Sequence, residues 1–242
     1  MLGGAHEPQH IRTNVKQTPV GPAIFAIVAA AAAGYLVARA HDMPYPGAEH
    51  RYARQLILHY TLSRLDDPII VLGDSIVEAA ILPTSACGHP FVNAGLNGAS
   101  TASDLGGWLK PALADKRAFA IIVSLGVNDA LTATPISQQA FAERYAALLA
   151  ELSKLTTRLF VVAIPPVETL ERMTADMEKA AMATIGDYRS VLPEVATQTH
   201  ATLLRLPETP SPFTIDGVHL NAQGYRAWDQ AVMQGIAKAC GQ

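Results

Sequence analysis

Ser75, Asp216 and His219 are the residues of this chain whose types and spacing could do chemistry. Ser75 lies in Val-Leu-Gly-Asp-Ser-Ile-Val-Glu (71–78), where an apolar run gives way to turn formers, and Asp216 and His219 stand three residues apart in Asp-Gly-Val-His (216–219). Ester cleavage needs a hydroxyl nucleophile, a base to take its proton, a carboxylate to orient that base, and N–H donors for the oxyanion. A carboxylate three residues before a histidine on a turn can reach Nδ1 and leave Nε2 free for the serine. Each residue also has a plainer use. Ser75 or Asp74 could cap a helix starting near Ile76, Asp216 could cap the last helix or its preceding turn, and His219 could be packed on the surface. Asn128 in Gly-Val-Asn-Asp suits a turn and Gly95 a bend. A metal reading of Asp216 and His219 is weak, because nothing supplies a third ligand at recognisable spacing.

The elements that must position these groups alternate. Short apolar runs at 69–72, 91–93, 119–125, 158–164 and 202–206 read as strands, and helical patterns run through 76–81, 101–115, 137–154, 174–199 and 221–239. Five strands, each followed by a helix, imply a parallel sheet covered on both faces. Right-handed crossovers then bring every segment after a strand to one edge of the sheet. Those segments are 73–75, 93–100, 125–130, 165–168 and 209–221, so Ser75, Gly95, Asn128, Asp216 and His219 are all delivered to a single rim.

"GDS" with Ser75, "NAG" with Gly95, "GVND" with Asn128 and "DGVHLNAQGY" with Asp216 and His219 resemble, in order, the four signature blocks of the SGNH (GDSL-like) hydrolase superfamily. The resemblance covers roughly 68–240. It implies a three-layer α/β/α, flavodoxin-like sandwich with a five-stranded parallel sheet and esterase or lipase chemistry without a metal or other cofactor. By position it implies Ser75 as nucleophile, His219 as base and Asp216 as its partner, with the Ser75 and Gly95 N–H groups and the Asn128 side chain as oxyanion hole. Ile76 replaces the leucine of the common Gly-Asp-Ser-Leu form, a change that conserves volume. Hydrolysis through an acyl-enzyme is the expected reaction. O-acyl transfer to a polysaccharide would use the same groups, and a non-catalytic glycan-binding domain would need neither base nor nucleophile. Leu170, Met173 and Met177 could wall an acyl chain or belong to the core; acetyl esters of envelope polysaccharide rank above long-chain lipids as substrate.

The chain has 242 residues, half of them apolar, 16% charged, with a formal net charge of -3. No basic field of the kind nucleic-acid binding requires is present. Residues 1–40 read apart from the 68–242 hydrolase domain: between Lys16 and Arg39 lie 22 residues without a formal charge, enough as an N-terminal hydrophobic helix to cross a bilayer. A signal anchor is expected, with Arg12 and Lys16 on the cytoplasmic side and the catalytic domain outside the cytoplasm in the cell envelope. The competing expectations are a signal peptide cleaved at Ala38-Arg39-Ala40, leaving a secreted protein, and a buried alanine-rich core helix. Residues 41–67 form a linker and lead-in helix in which Tyr52, Leu56, Ile57, Tyr60 and Leu65 have amphipathic spacing, fit to pack on the domain or lie near a membrane surface. In the implied fold Cys87 and Cys240 fall at the same sheet edge, opposite the rim. Export would allow a Cys87–Cys240 disulfide, and two unpaired thiols are the alternative.

Overall fold

A computed structural model describes residues 46–170 and 173–241. The expected N-terminal anchor or signal peptide, residues 1–40, lies outside the described residues. Helix α1 (Pro46–Ser63) leads in, and the sheet is built from β1 (Ile69–Gly73), β2 (Ser85–Ala86), β3 (His89–Gly95), β4 (Ala120–Ser124), β5 (Leu159–Val162) and β6 (Thr202–Leu204). Between and after them come α2 (Ser75–Glu78), α3 (Leu105–Leu113), α4 (Val127–Ala130), α5 (Gln138–Leu152), α6 (Ala175–Gln198) and α7 (Ala222–Ala239). The strand order is β2-β3-β1-β4-β5-β6; all neighbours run parallel except β2, which pairs antiparallel with β3. The five expected strands thus form the parallel sheet, in flavodoxin-like order, and β2 is an unexpected two-residue edge.

Ile69–Leu72 and Ala120–Val123 are completely buried, because helices cover both faces of the two central strands. This double burial explains their unbroken apolar runs, where a half-exposed strand would alternate. Helices α3, α5 and α6 pack side by side, with Phe141 of α5 stacked on Tyr188 of α6 at 4.0 Å, while α7 crosses β4, β5 and β6. In register, Gly73 at the end of β1 faces Gly95 of β3 on one side and Ser124 of β4 on the other. The carboxyl ends of three strands therefore stop at one level and set the rim.

Helix α1 packs on the domain, as one of the two expectations had it. Its packed face is Leu58 and Leu62, with Arg54 half-buried beside them, whereas Tyr52, Leu56, Ile57 and Tyr60 face solvent. Of the five residues at amphipathic spacing, Leu65 packs against the core and the other four form the outer face. Cys87 and Cys240 form a disulfide with Cα atoms 6.2 Å apart, joining positions 153 residues apart and fastening the end of α7 beside β3. Among the described residues no helix is long and apolar enough to cross a membrane.

Candidate active site

The turn from β1 into α2 divides capping and chemistry between neighbours. Asp74 is the N-cap, its Oδ1 accepting the Ile76 N–H at 2.9 Å, so the Ser75 hydroxyl is not needed to close the helix. Ser75 opens α2, where its N–H has no intrahelical acceptor. Its Oγ lies 3.0 Å from His219 Nε2. His219 Nδ1 lies 2.7 Å from Asp216 Oδ2, and the Asp216 Oδ1 accepts the N–H groups of Val218 and His219 at 3.1 and 2.8 Å. Asp216 therefore caps its turn and orients the imidazole with different oxygens. With Nδ1–H donated to the carboxylate, Nε2 offers a lone pair to the Ser75 hydroxyl.

Charge distribution follows from burial and hydrogen bonding. Partial burial works to raise the Asp216 carboxyl, but the bonds from His219 and Val218 prevail and hold it down at about 2. Burial instead pushes Asp74 up to about 7, against the Ile76 N–H and the attraction of His219. Two carboxylates within reach of one imidazole are thus kept apart in acidity by their surroundings.

The loop carrying Asp216 and His219 is fastened by a residue that sequence reasoning did not single out. Glu168, after β5, accepts the backbone N–H groups of Phe213 and Thr214 at 3.0 and 2.7 Å and the hydroxyls of Ser211 and Thr214, while its own N–H donates to Gly217 O at 2.8 Å. Partial burial raises this carboxyl, yet the four donors outweigh it and hold it below the ordinary value. The only sequence signal was an acidic residue after a strand.

Of the expected oxyanion donors, the structure leaves two free and engages the third. The Ser75 N–H is open, and Asn128 in α4 gives one Nδ2 hydrogen to Ala99 O at 2.8 Å and keeps the other. The Gly95 N–H, by contrast, is donated to Asn93 Oδ1 at 2.9 Å, and a Cβ at Gly95 would stand 2.1 Å from Glu78 N. Gly95 is therefore a site of close backbone packing against α2. Three residues on, Gly98 occupies the third position of a turn closed by Ala99 N–H to Leu96 O, with φ +74 and open space where a Cβ would be. Its N–H has no acceptor among the described residues. The turn-forming Asn97-Gly98 pair was the available sequence signal. The same loop is pinned to α4 a second time, by Thr101 N–H to Asp129 Oδ1 at 3.1 Å.

Leu170 is buried against the Gly217 turn, whereas Met177 is exposed, so the expected apolar triplet does not behave as one core face. A cavity of about 400 Å³ between Pro165, Leu206, Phe213 and Leu220 lies behind the 209–221 loop; Ser75, Asp216 and His219 do not line it. Among the described residues no three His, Cys, Asp or Glu side chains converge as metal ligands.

The fold has many solved relatives. A Streptococcus pneumonia protein described as a platelet activating factor is 20% identical, covering 84% of this chain and 98% of that one with a TM-score of 0.64. A lipase/acylhydrolase from Enterococcus faecalis is 19% identical over 71% of this chain and 95% of its own, TM-score 0.57. An acetylxylan esterase from Geobacillus stearothermophilus, in a catalytic mutant, is 16% identical over 71% and 94%, TM-score 0.53. No curated protein matches at the sequence level. The sequence pattern of the GDSL-like Lipase/Acylhydrolase family matches residues 71–227, from the strand before Ser75 to beyond His219. The chain belongs to the GDSL-like Lipase/Acylhydrolase family of ester hydrolases.

Proposed function

We propose that the protein is a serine esterase that cleaves a carboxylic ester through an acyl-enzyme, with Ser75 as nucleophile, His219 as general base and Asp216 as its orienting partner. The observation that carries this reading is the unbroken relay of 3.0 Å from Ser75 Oγ to His219 Nε2 and 2.7 Å from Nδ1 to Asp216. The Ser75 proton passes to Nε2 as Oγ bonds the ester carbon, and the carbonyl electron pair becomes the oxyanion. The Ser75 N–H, the free Asn128 hydrogen and the Gly98 N–H are its donors, Gly98 replacing Gly95 because the Gly95 hydrogen is already committed. Collapse of the oxyanion expels the alcohol, which takes the proton from His219. Water then repeats the sequence on the acyl-enzyme.

Short acyl esters, acetyl above all, are the favoured substrates, supported by the acetylxylan specificity named for one relative of the same fold. An envelope location outside the cytoplasm is supported by the disulfide, which persists in oxidising compartments. Membrane anchoring through residues 17–38 is supported by the exposed Tyr52, Leu56, Ile57 and Tyr60 face of α1, which begins seven residues after Arg39. Aromatic and aliphatic side chains of that kind favour a headgroup boundary. The test is hydrolysis of p-nitrophenyl esters of increasing chain length by the full chain. Turnover greatest for acetate and abolished in Ser75→Ala is expected; wild-type turnover in Ser75→Ala would refute the assignment. Release of free acetate, rather than its appearance on an added polysaccharide, distinguishes hydrolysis from acyl transfer.

A further inference from the structure

The region matched by the family pattern begins at residue 71, and α1 precedes it. Yet α1 reaches the rim. Arg54 donates from Nε to Gly95 O at 3.0 Å and from Nη2 to Asn93 O at 3.1 Å and Asn93 Oδ1 at 3.2 Å. One planar guanidinium thus holds both carbonyls flanking Ala94 at the end of β3. One turn earlier on the helix, His50 Nε2 lies 2.8 Å from Glu78 Oε1, and Glu78 Oε2 accepts the Asn97 N–H at 2.6 Å.

Asn93 passes the contact on. Its Oδ1 takes two donors, Arg54 and the Gly95 N–H, while its Nδ2 faces the carbonyls of Val77 at 2.7 Å and Ala80 at 3.2 Å. This division fixes the amide orientation, since the reverse would set a carbonyl against carbonyls. Those carbonyls lie in the last turn of α2 and just past its C-cap, and α2 is a helix of one turn that starts at Ser75. A single turn has almost no stability of its own, so its geometry depends on what satisfies its last carbonyls. The far side of Asn93 leads through Gly95 and Asn97 to Gly98.

Resting on the esterase reading, we propose that Arg54 is a positioning residue for the active site: acting through Asn93, it fixes the helix that presents Ser75 and the loop that presents the Gly98 N–H. A lysine cannot replace it, because an ammonium lacks the two-pronged planar donor set that spans the Gly95 and Asn93 oxygens. Displacements of about 1 Å at a nucleophile or oxyanion donor cost up to about 100-fold in rate, which sets the scale of the effect.

The experiment compares wild type, Arg54→Ala, Arg54→Lys and Arg51→Ala as full chains, with p-nitrophenyl acetate. Arg51 lies on the same helix but bonds Asp104 O at 3.3 Å, away from Asn93. The expected result is a kcat roughly 10- to 100-fold lower in both Arg54 variants, KM within about twofold, and Arg51→Ala unchanged. Millimolar guanidinium, but not ammonium, should restore kcat in Arg54→Ala. Amide hydrogen exchange should accelerate about tenfold in 75–80 and 94–98 and stay unchanged in β4 and β5. Unaltered kcat and exchange in Arg54→Ala would overturn the proposal, as would a loss that tracks a general fall in Tm and ignores guanidinium. If wild type cleaves no ester the esterase reading fails, and the exchange pattern alone then decides whether Arg54 positions these segments.

Discussion

His219 Nε2 stands 3.0 Å from Ser75 Oγ, although 144 positions separate the two residues along the chain. No local preference brings them together; the parallel sheet does, by ending β1 at the edge where the loop before α7 crosses. Asp216 completes the line at 2.7 Å from Nδ1. Asp216→Asn should lower kcat for p-nitrophenyl acetate by roughly 10²- to 10⁴-fold, because an amide no longer stabilises the imidazolium and can enforce the wrong tautomer. The carboxyl is held at about 2, so it is ionised throughout the assay range and protonation of Asp216 sets no limb of a rate profile above pH 4. Its contribution to folding is present above the ordinary carboxyl value and lost as pH falls toward 2. That contribution is small, since half of the side chain is in solvent. Wild-type kcat in the variant would remove Asp216 from the relay.

Gly95 and Gly98 should fail differently when a methyl group is added. A Cβ on Gly95 would meet Glu78 N at 2.1 Å and Glu78 Cα at 2.4 Å, backbone that cannot turn aside, so Gly95→Ala should fold poorly or melt well below wild type. Gly98→Ala meets nothing within 4 Å and bears only the strain of φ +74, about 1–2 kcal/mol. Thermal unfolding of the two variants separates these outcomes. Asn128→Ala, which removes a side-chain donor, should keep its Tm within a few degrees and lose about 10²–10³ in kcat. Equal melting of the two alanine variants would contradict the packing assigned to Gly95.

Asp74 gives a pH dependence of the opposite sign to Asp216. Burial raises its carboxyl from 3.8 to about 7, so the folded protein binds this proton more tightly than the unfolded chain. Stability from this group is fully present below pH 4 and drains away as pH climbs through about 7. Asp74→Asn keeps an oxygen to cap the Ile76 N–H but carries no charge to bury. Relative to wild type, the variant should gain stability between pH 5 and pH 8, by an amount of the order of a few kcal/mol. Denaturant unfolding at the two pH values measures it, and a wild-type-to-variant difference that does not move with pH would show that Asp74 is not burdened by its charge.

Much of this arrangement was readable in the chain because it is written in local patterns. Continuous apolar runs such as Ile69–Leu72 survive only in doubly covered strands, and Ser, Asn, Asp and His after those strands reveal the rim. The structure accordingly brings Ser75, His219 and Asp216, in that order, each within hydrogen-bonding distance of the next and ties Asn128 to Ala99 O. What escaped depends on pairing across the sheet. β2 is two residues long and carries no periodicity. Gly95 and Gly98 look equally free in sequence, and only contacts in the folded chain, the Asn93 side chain and the Glu78 backbone on Gly95, distinguish them. On α1 the apolar spacing drew attention to the exposed face, while Arg54 on the inner face had no neighbour in sequence to give it meaning.

Glu168 is the same kind of residue on the other side of the relay. It holds four donors from Ser211, Phe213 and Thr214, just ahead of Asp216, and the hydrogen bonds keep its carboxyl ionised below the ordinary range. Three of the four donors, from Phe213 and Thr214, share Oε2 and only the Ser211 hydroxyl is on Oε1, so Glu168→Gln with its oxygen at the Oε2 position keeps those three, whereas Glu168→Ala removes all four. In Glu168→Ala the Asp216–His219 loop loses its anchor after β5 while the sheet beneath stays intact. Glu168→Ala should show a kcat about tenfold or more below wild type with only a modest fall in Tm, and Glu168→Gln should be less impaired. Hydrogen exchange across 211–219 provides the independent reading. Faster exchange there with unchanged β1 and β4 fits an anchor, whereas unchanged exchange with unchanged kcat would leave Glu168 no part in holding the base.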